Sequence, residues 1–253
     1  MLLLHLMSQI FPHKIRIIYI DHQLQSKSAE WGELVAKQAT RLNIPYTIQK
    51  VQVTDGNLEA QARQARYYAY LQHLQANEIL VLAHHQQDQA ETVILRLLSG
   101  AGVDGLAAMQ AIDYRKDMTI WRPFLDLTRE QIAEWTTQLE IEYVDDPTNY
   151  DIHYDRAWSR EELWPFLQNR FPKMQQALSR TSYLMQDASE ILEEVLKVDL
   201  QNCGTDECLD LNQLLKLSSA RQRQLLSVWM KGDGQYRPAF EMVERLKNEV
   251  INS

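Results

Sequence analysis

The stretch Ile79–Leu98 reads ILVLAHHQQDQAETVILRLL. An apolar run leads to two histidines, and a second apolar run follows with Asp88 and Glu91 near its start. This pattern predicts a buried strand that ends in two imidazoles, followed by a helix that begins with two carboxylates. In open α/β sheets, ligands bind at the carboxyl ends of strands, where helix N-termini offer N–H groups to phosphates. The stretch therefore predicts an α/β fold with a nucleotide or phosphate site after this strand.

The same spacing has a purely structural interpretation. Asp88 and Glu91 are separated as the N-cap and N3 residues of a capping box are, and the helix dipole favours both charges. His84 and His85 are equally compatible with ordinary strand-end positions. Spacing alone leaves both interpretations open.

The flanking sequence predicts further strands and helices in alternation. Predicted strands cover residues 15–21, 45–53, 79–84 and 118–124. Predicted helices cover 27–42, 58–75 and 128–140, a further helix begins with Asp88 and ends at 99–102, and a turn is predicted at 55–57. Such alternation indicates βαβ units and a parallel sheet. After residue 149 the strand signals stop, and helices are predicted over 158–199, 211–230 and 237–251.

Composition limits the functional classes. The 253 residues are 45% hydrophobic and carry a net charge of −8, which argues against broad non-specific binding of nucleic acid. No apolar run is long enough to predict a membrane-spanning helix. Cys203 and Cys208 form a C-x4-C pair that matches neither a disulfide framework nor a C-x-x-C motif, so a cytoplasmic location is the simplest expectation.

Several segments resemble motifs of one family, in the same order along the chain. Residues 83–92, AHHQQDQAET, resemble the H-H-x-D-D-Q-x-E-T signature of the tRNA(Ile)-lysidine synthetases, which belong to the PP-loop ATP-pyrophosphatase superfamily. Residues 21–24 (DHQL), 58–67 (LEAQARQARY), 122–129 (RPFLDLTR) and 145–156 (DDPTNYDIHYDR) are similar to four further family motifs. The common order makes the resemblance specific, although each motif alone is modest.

The resemblance implies a fold and a domain organisation. The expected fold class is α/β, with a Rossmann-like parallel sheet of the adenine nucleotide alpha hydrolase type over 1–157, followed by an all-helical domain over 158–253. The family signature S-G-G-x-D-S occurs nowhere in the sequence, and Met1–His5 resembles the start of the helix that follows it. The chain is therefore expected to be truncated at both ends and to lack the central strand of the family order 3-2-1-4-5. Strands on either side of that gap would keep unpaired edges or pair with each other, which predicts a marginal or rearranged domain.

The resemblance also implies a reaction. ATP adenylates the C2 oxygen of the wobble cytidine in an isoleucine tRNA with a CAU anticodon, and the amine of L-lysine then displaces AMP to form lysidine. ATP and Mg²⁺ are the expected cofactors. The expected partners are this tRNA and lysine, with no membrane, and a homodimer is compatible with the resemblance. ATP binding is expected to be weak without the phosphate loop.

The motifs carry these roles to particular residues. The expected ATP-binding residues are Asp21, His22, His84, His85, Asp88 and Glu91. The expected catalytic residues are Arg63, Asp88, Asp146 and Arg156, and Asp88 is also the expected Mg²⁺ ligand. The expected contacts with the tRNA and the lysine substrate are Arg63, Arg66, Asn149 and Arg160. Two family positions differ, because Gln87 replaces an aspartate and Ala157 replaces an asparagine.

Local patterns offer plainer interpretations for some of these residues. Glu59 and Arg63 are spaced as an i,i+4 surface ion pair. Residues 146–149, DPTN, have the composition of a type I turn. Arg156 and Arg160 also suit solvated positions at a helix start.

Two functional alternatives remain. A non-catalytic tRNA-binding fragment or pseudoenzyme fits a chain without the glycine-rich phosphate cradle. The second alternative is that the chain is a PP-loop enzyme that thiolates tRNA, and the absence of a C-x-x-C pair from the sequence weighs against it.

Overall fold

Strands and helices alternate in the first half of the chain, as predicted. The computed structural model describes residues 1–25, 27–53, 58–144, 146–232, 234 and 237–251, so the predicted turn at 55–57 and the motif residue Asp145 lie outside the described residues. The elements up to residue 138 are α1 (Leu2–Ile10), β1 (Ile17–Asp21), α2 (Ser28–Arg41), β2 (Tyr46–Lys50), α3 (Leu58–His73), β3 (Ile79–Val81), α4 (Gln86–Leu98), α5 (Val103–Leu106), β4 (Ile112–Tyr114), β5 (Thr119–Trp121) and α6 (Arg129–Gln138).

The strands form two sheets. In the first, β1 and β2 pair in parallel, with Ile17 opposite Tyr46. In the second, β5 lies in the centre, parallel to β3 and antiparallel to β4. The prediction of an α/β fold with parallel pairing is confirmed. The sequence patterns did not predict β4, because a strand of three residues shows too little alternation to be recognised.

The two sheets lie side by side, and a salt bridge joins their facing strands. Arg16 precedes β1 and Glu78 precedes β3, and the Nε of Arg16 donates to Oε1 of Glu78 over 2.7 Å. Within the described residues, β1 and β3 do not pair with each other, and neither has a strand on its inner edge. Of the two arrangements expected for a sheet without its central strand, the structure therefore has the one with unpaired inner edges.

Apolar packing fixes α3 and α4 in position. Tyr67 and Tyr70 of α3, with Leu74 directly after the helix, pack against Leu80 of β3 and Ile120 of β5. The apolar face of α4 packs against the helical region that follows the sheets, in a cluster formed by Ala90, Ile94, Trp164 and Met174 with Leu163, Leu167 and Leu178 around it. Because α4 begins at Gln86, shortly after β3 ends at Val81, its N-terminal end lies close to that strand end.

The chain beyond α6 is helical. It contains a 3-10 helix (Pro147–Tyr150), α7 (Asp155–Trp158), a π-helical turn (Ser159–Leu163), α8 (Trp164–Arg170), α9 (Met174–Cys203), α10 (Leu211–Leu214), α11 (Ser219–Lys231), α12 (Phe240–Leu246) and a second π-helical turn (Lys247–Ile251). In the described part of the chain, no helix has the length and apolarity needed to cross a bilayer.

Proline explains why residues 158–199, predicted as one helix, form several. Pro165 has no N–H to donate to the carbonyl of Glu161, so the turn before it adopts the wider π spacing. Pro172 ends α8 because a proline disfavours helical backbone angles at the residue before it, which here is Phe171. The continuous helix predicted over 211–230 is also wrong, because the Ser218 hydroxyl accepts from the N–H of Arg221 and starts a separate helix.

Two compact units make up the chain, Met1–Tyr183 and Leu184–Ser253, and the division falls inside α9. The second unit has its own apolar core, built around Leu196, Cys203, Leu214, Leu225, Leu226 and Val243. The domain boundary expected at residue 157 stays a prediction, since packing does not report the limits of a homologous domain.

Candidate functional site at the carboxyl ends of the strands

The carboxyl ends of β1 and β3 lie at the same edge of the molecule. The salt bridge between Arg16 and Glu78 joins the amino ends of these strands. At their other ends, the charge of Arg66 acts on His22 after β1, and the charge of Arg63 acts on His84 after β3. Both arginines lie on α3, so this helix brings the two strand ends together. We call this region the carboxyl edge.

His85 and Asp88 form the cap of α4. The Nδ1 of His85 accepts from the N–H of Gln87 over 3.2 Å, and Oδ2 of Asp88 accepts from the N–H of His85 over 2.9 Å. A capping box is therefore present, but its N-cap is His85 and its N3 residue is Asp88. The alternative that placed Asp88 at the N-cap and Glu91 at N3 is wrong, because the helix begins three residues earlier.

His84 is a neutral imidazole at physiological pH. Burial lowers the pKa of His84 to about 4, and the positive charges of Arg122, Arg156 and Arg63 also lower it, while Asp88 acts in the opposite direction. Its Nδ1 is buried and has no hydrogen-bond partner within the described residues. An unpaired polar atom of this kind is costly, so a bound group that reaches Nδ1 would be stabilised.

The charges of Arg63 and Arg156 both act on His84. The Nε of Arg156 lies 3.1 Å from Oε1 of Glu59, so Glu59 holds Arg156 and does not form the predicted pair with Arg63. Burial lowers the pKa of Arg63, and the charges of Arg156 and Arg66 act in the same direction. Three cations thus approach one another, an arrangement that a phosphate would stabilise.

Asp21 and His22 end β1 on the other side of the gap. Asp21 is buried, and its Oδ1 accepts from the N–H of Gln23 over 2.8 Å, so it stabilises the turn after the strand. Burial, followed by the charge of Arg66, lowers the pKa of His22. The Nδ1 of His22 is buried and has no partner among the residues that the structure describes.

Asp146 lies near β1, and Asn149 is hydrogen-bonded to it through the backbone. Burial raises the pKa of Tyr19, and the charges of Asp21 and Asp146 raise it further, which puts Asp146 close to β1. The N–H of Asn149 donates to the carbonyl of Asp146 over 3.0 Å, as the predicted turn requires. Among the described residues, the exposed side chain of Asn149 makes no hydrogen bond to the site, and its expected contact with lysine stays a prediction.

Glu91 and Arg160 bind each other. The Nε and a terminal nitrogen of Arg160 lie 3.0 and 2.9 Å from the two oxygens of Glu91, and the carboxylate is fully buried. This two-point ion pair joins α4 to the π-helical turn before α8. The expected roles of Glu91 toward ATP and of Arg160 toward tRNA stay predictions, and the pair supplies a structural role for both.

Asp88 is a suitable but solitary metal ligand. Within the described residues, no three His, Cys, Asp or Glu side chains form a group that could hold a metal ion. Mg²⁺ usually takes only one or two carboxylates and completes its shell with phosphates and water. The Oδ1 of Asp88 accepts no hydrogen bond from the described residues, so the residues present fit a Mg²⁺ ion that arrives with a nucleotide.

The structure adds residues that the motifs did not single out. Arg122 is buried, its charge acts on His84, and one of its terminal nitrogens donates to the carbonyl of Gln110 over 2.7 Å. The Tyr67 ring lies beside the guanidinium groups of both Arg63 and Arg115. Arg122 and Tyr67 lie in quoted motifs, but Arg115 follows β4 and carried no sequence signal.

Comparison with known proteins gives a consistent result. Residues 1–167 match the family model described as the PP-loop domain. The chain is 63% identical over 251 residues to the tRNA(Ile)-lysidine synthase of Acinetobacter baylyi, covering 99% of this chain and 55% of that protein. It is 35% identical to the enzyme of the same name from Haemophilus ducreyi, covering 94% of this chain and 56% of that protein. The chain thus spans little more than half the length of the curated relatives it matches.

Among solved structures, the U34-tRNA thiolase NcsA from Methanococcus maripaludis with its [4Fe-4S] cluster has a similar fold. The TM-score is 0.57 at 14% identity, over 73% of this chain and 68% of that one. At this identity the likeness concerns the fold alone.

Proposed function

We propose, from the premise that this chain belongs to the PP-loop domain family, that it carries the active-site portion of an enzyme that ligates lysine to the wobble cytidine of an isoleucine tRNA with a CAU anticodon. The observation on which the proposal depends is the carboxyl edge, where the charges of Arg63, Arg156 and Asp88 all act on the neutral His84. The names of the relatives support this choice over the thiolase alternative.

The reaction requires cations close to the phosphate group that is attacked. In the first step, the C2 oxygen of the cytidine attacks the α-phosphate of ATP and pyrophosphate leaves. Arg63 and Arg156 neutralise the charge that develops on the phosphate oxygens. When bound, Mg²⁺ supplies further charge neutralisation, and Asp88 is the residue that would hold it.

The remaining residues take roles in binding and orientation. His84, uncharged because of its lowered pKa, can hydrogen-bond to a ribose or phosphate oxygen without adding positive charge. Arg66 and His22 extend the polar surface toward β1. Asp146 contributes a carboxylate that attracts the ammonium group of lysine. In the second step, the lysine amine attacks C2 of the adenylated cytidine and AMP leaves.

The test measures incorporation of radiolabelled lysine into a tRNA transcript with a CAU anticodon, in the presence of ATP and Mg²⁺. Because this chain spans 55% of the Acinetobacter baylyi relative, the assayed protein is a chimera in which the chain replaces the matching stretch of that relative. We expect labelling of this transcript and none of a transcript with uridine at the wobble position. An unlabelled transcript, with the intact relative active in parallel, would favour the non-catalytic alternative.

A variant pair tests the role of the arginines. Arg63→Gln is expected to lower kcat about 100-fold or more, since one charge-stabilising donor commonly contributes that much. Arg41→Gln is the matched control, because Arg41 is an exposed cation at the end of α2. Equal activity of both variants would remove Arg63 from the reaction.

A further inference from the structure

Arg63 is a partly buried cation without a carboxylate partner in the described part of the chain. Its guanidinium carbon lies 4.9 Å from the centroid of the Tyr67 ring instead. A desolvated cation beside other cations is unfavourable, and an aromatic face offsets part of that cost. Contact with the ring also leaves the N–H donors of Arg63 free for a ligand.

Tyr67 is itself held from two sides. The guanidinium carbon of Arg115 lies 5.0 Å from the centroid of the same ring. The Tyr70 ring meets Tyr67 edge-on, with centroids 5.9 Å apart and planes at 75°. The ring therefore has little freedom to turn, which restricts the positions open to Arg63.

The hairpin of β4 and β5 fixes Arg115. Its Nε and a terminal nitrogen lie 3.0 and 2.8 Å from Oδ2 of Asp113. The same oxygen lies 3.4 Å from a terminal nitrogen of Arg122, whose side chain is 1% exposed. A continuous series of contacts thus leads from buried Arg122 through Asp113, Arg115 and Tyr67 to Arg63.

We propose that Tyr67, Arg115 and Asp113 are positioning residues that hold the Arg63 guanidinium in place to bind a phosphate group at the carboxyl edge. The inference rests on the proposed function because it takes Arg63 as a phosphate-binding residue. A nucleotide and an RNA backbone offer the same phosphate chemistry, and the two are distinguished in the test.

The first measurement is the NMR signal of the Arg63 Nε–H group in the full 253-residue chain. We expect the ring current of Tyr67 to shift this signal in the parent protein, since the Arg63 guanidinium carbon lies 4.9 Å from the ring centroid. We expect Tyr67→Phe to keep the shift and Tyr67→Leu to abolish it. Tyr67 also packs against the apolar core, so Tyr67→Leu could disturb the fold. Arg115→Gln is therefore a second variant at a residue outside the core, and we expect it to change the Arg63 signal as well. Lys116→Gln, which removes an exposed charge from the same turn, is the matched control and should change nothing.

The second measurement is binding of two phosphate probes, ATP with Mg²⁺ and an RNA stem–loop with a CAU anticodon. We expect Tyr67→Leu to weaken binding of at least one probe about tenfold, with Tyr67→Phe near the parent value. The probe that is affected identifies the source of the phosphate. Unchanged affinity for both probes, no binding of either by the parent chain, or an Arg63 signal insensitive to Tyr67→Leu and Arg115→Gln would each overturn the proposal.

Neither measurement depends on turnover. If the chain shows these effects but the chimera forms no lysidine, the proposed function is disproved and the positioning of Arg63 stays intact. If lysidine forms normally and Tyr67→Leu changes neither the Arg63 signal nor the affinity for the probes, the positioning proposal is disproved and the proposed function stays intact.

Discussion

Glu91 and Arg160 show how the role of a single residue depends on its partner. In the motif Glu91 is expected near ATP, yet its carboxylate is fully buried and bound at two points by Arg160. Removing one member of a buried pair leaves the other charge uncompensated, which costs much more than breaking a surface pair. The structural role therefore makes a quantitative prediction.

Glu91→Gln is expected to lower the free energy of unfolding by about 3 kcal/mol, measured by urea denaturation. Glu33→Gln is the control, since Glu33 is exposed on α2, and it should change stability by less than about 0.5 kcal/mol. Unchanged stability of Glu91→Gln together with weaker ATP binding would show that Glu91 acts on the nucleotide.

His84 makes a prediction about pH. Its pKa in the folded protein is about 4, below the ordinary value of 6.5, chiefly because of burial. Between these values the unfolded chain binds the proton more readily, so the stability that His84 contributes is lost as pH falls from 6.5 toward 4. An NMR titration should give a midpoint for His84 near pH 4. The pH dependence of unfolding should be smaller in His84→Gln, and a His84 midpoint near pH 6.5 would contradict the burial argument.

At the scale of elements, Gln89 connects α4 to the segments around it. Its Nε2 donates to the Met109 carbonyl over 2.8 Å and to the Ser182 hydroxyl over 2.9 Å, while its Oε1 accepts from the N–H of Met109 over 3.0 Å. With 1% exposure, it uses its amide to satisfy backbone groups that water cannot reach. It therefore has a structural role inside a motif whose neighbours face the site.

Gln89→Ala should destabilise the protein by about 1–3 kcal/mol, since it leaves buried backbone groups unsatisfied. Gln64→Ala, at an exposed position of α3, is the matched control. The measurement is thermal or urea unfolding of the two variants beside the parent. Similar midpoints for all three proteins would mean that water replaces the Gln89 amide.

At the scale of the whole molecule, the unusual feature is the pair of sheets with unpaired inner edges. The N–H of Ile17 donates to the Pro45 carbonyl, so the amides of Ile18 and Ile20 point away from β2. On β3, the N–H of Leu82 donates to Trp121, so the amide of Val81 points away from β5.

Hydrogen exchange should detect these open edges. We expect the amides of Ile18, Ile20 and Val81 to exchange at least about tenfold faster than those of Ile17 and Tyr19, because they have no ladder hydrogen bonds. NMR or fragment-resolved mass spectrometry can measure the difference. Equal protection along β1 would indicate that the inner edges are paired in solution.

Features that depend on neighbouring residues were predictable. The alternation of strands and helices and the turn at 146–149 formed as the sequence indicated. The strand–histidine–helix stretch around His84 was likewise identified, because hydrophobic periodicity and capping act over a few residues. Element ends, the proline breaks in the helical region and the short strand β4 were less predictable.

The partners of the charged side chains were decided by tertiary structure. Arg160 contacts Glu91 across 69 residues of sequence, and Arg16 contacts Glu78 across 62. No local pattern ranks such distant partners, since the choice depends on which elements pack together. By itself the sequence determined an α/β fold with its polar residues at the strand ends. Only the packed molecule decided which of these residues stabilise the fold by binding each other and which keep donors free for a ligand.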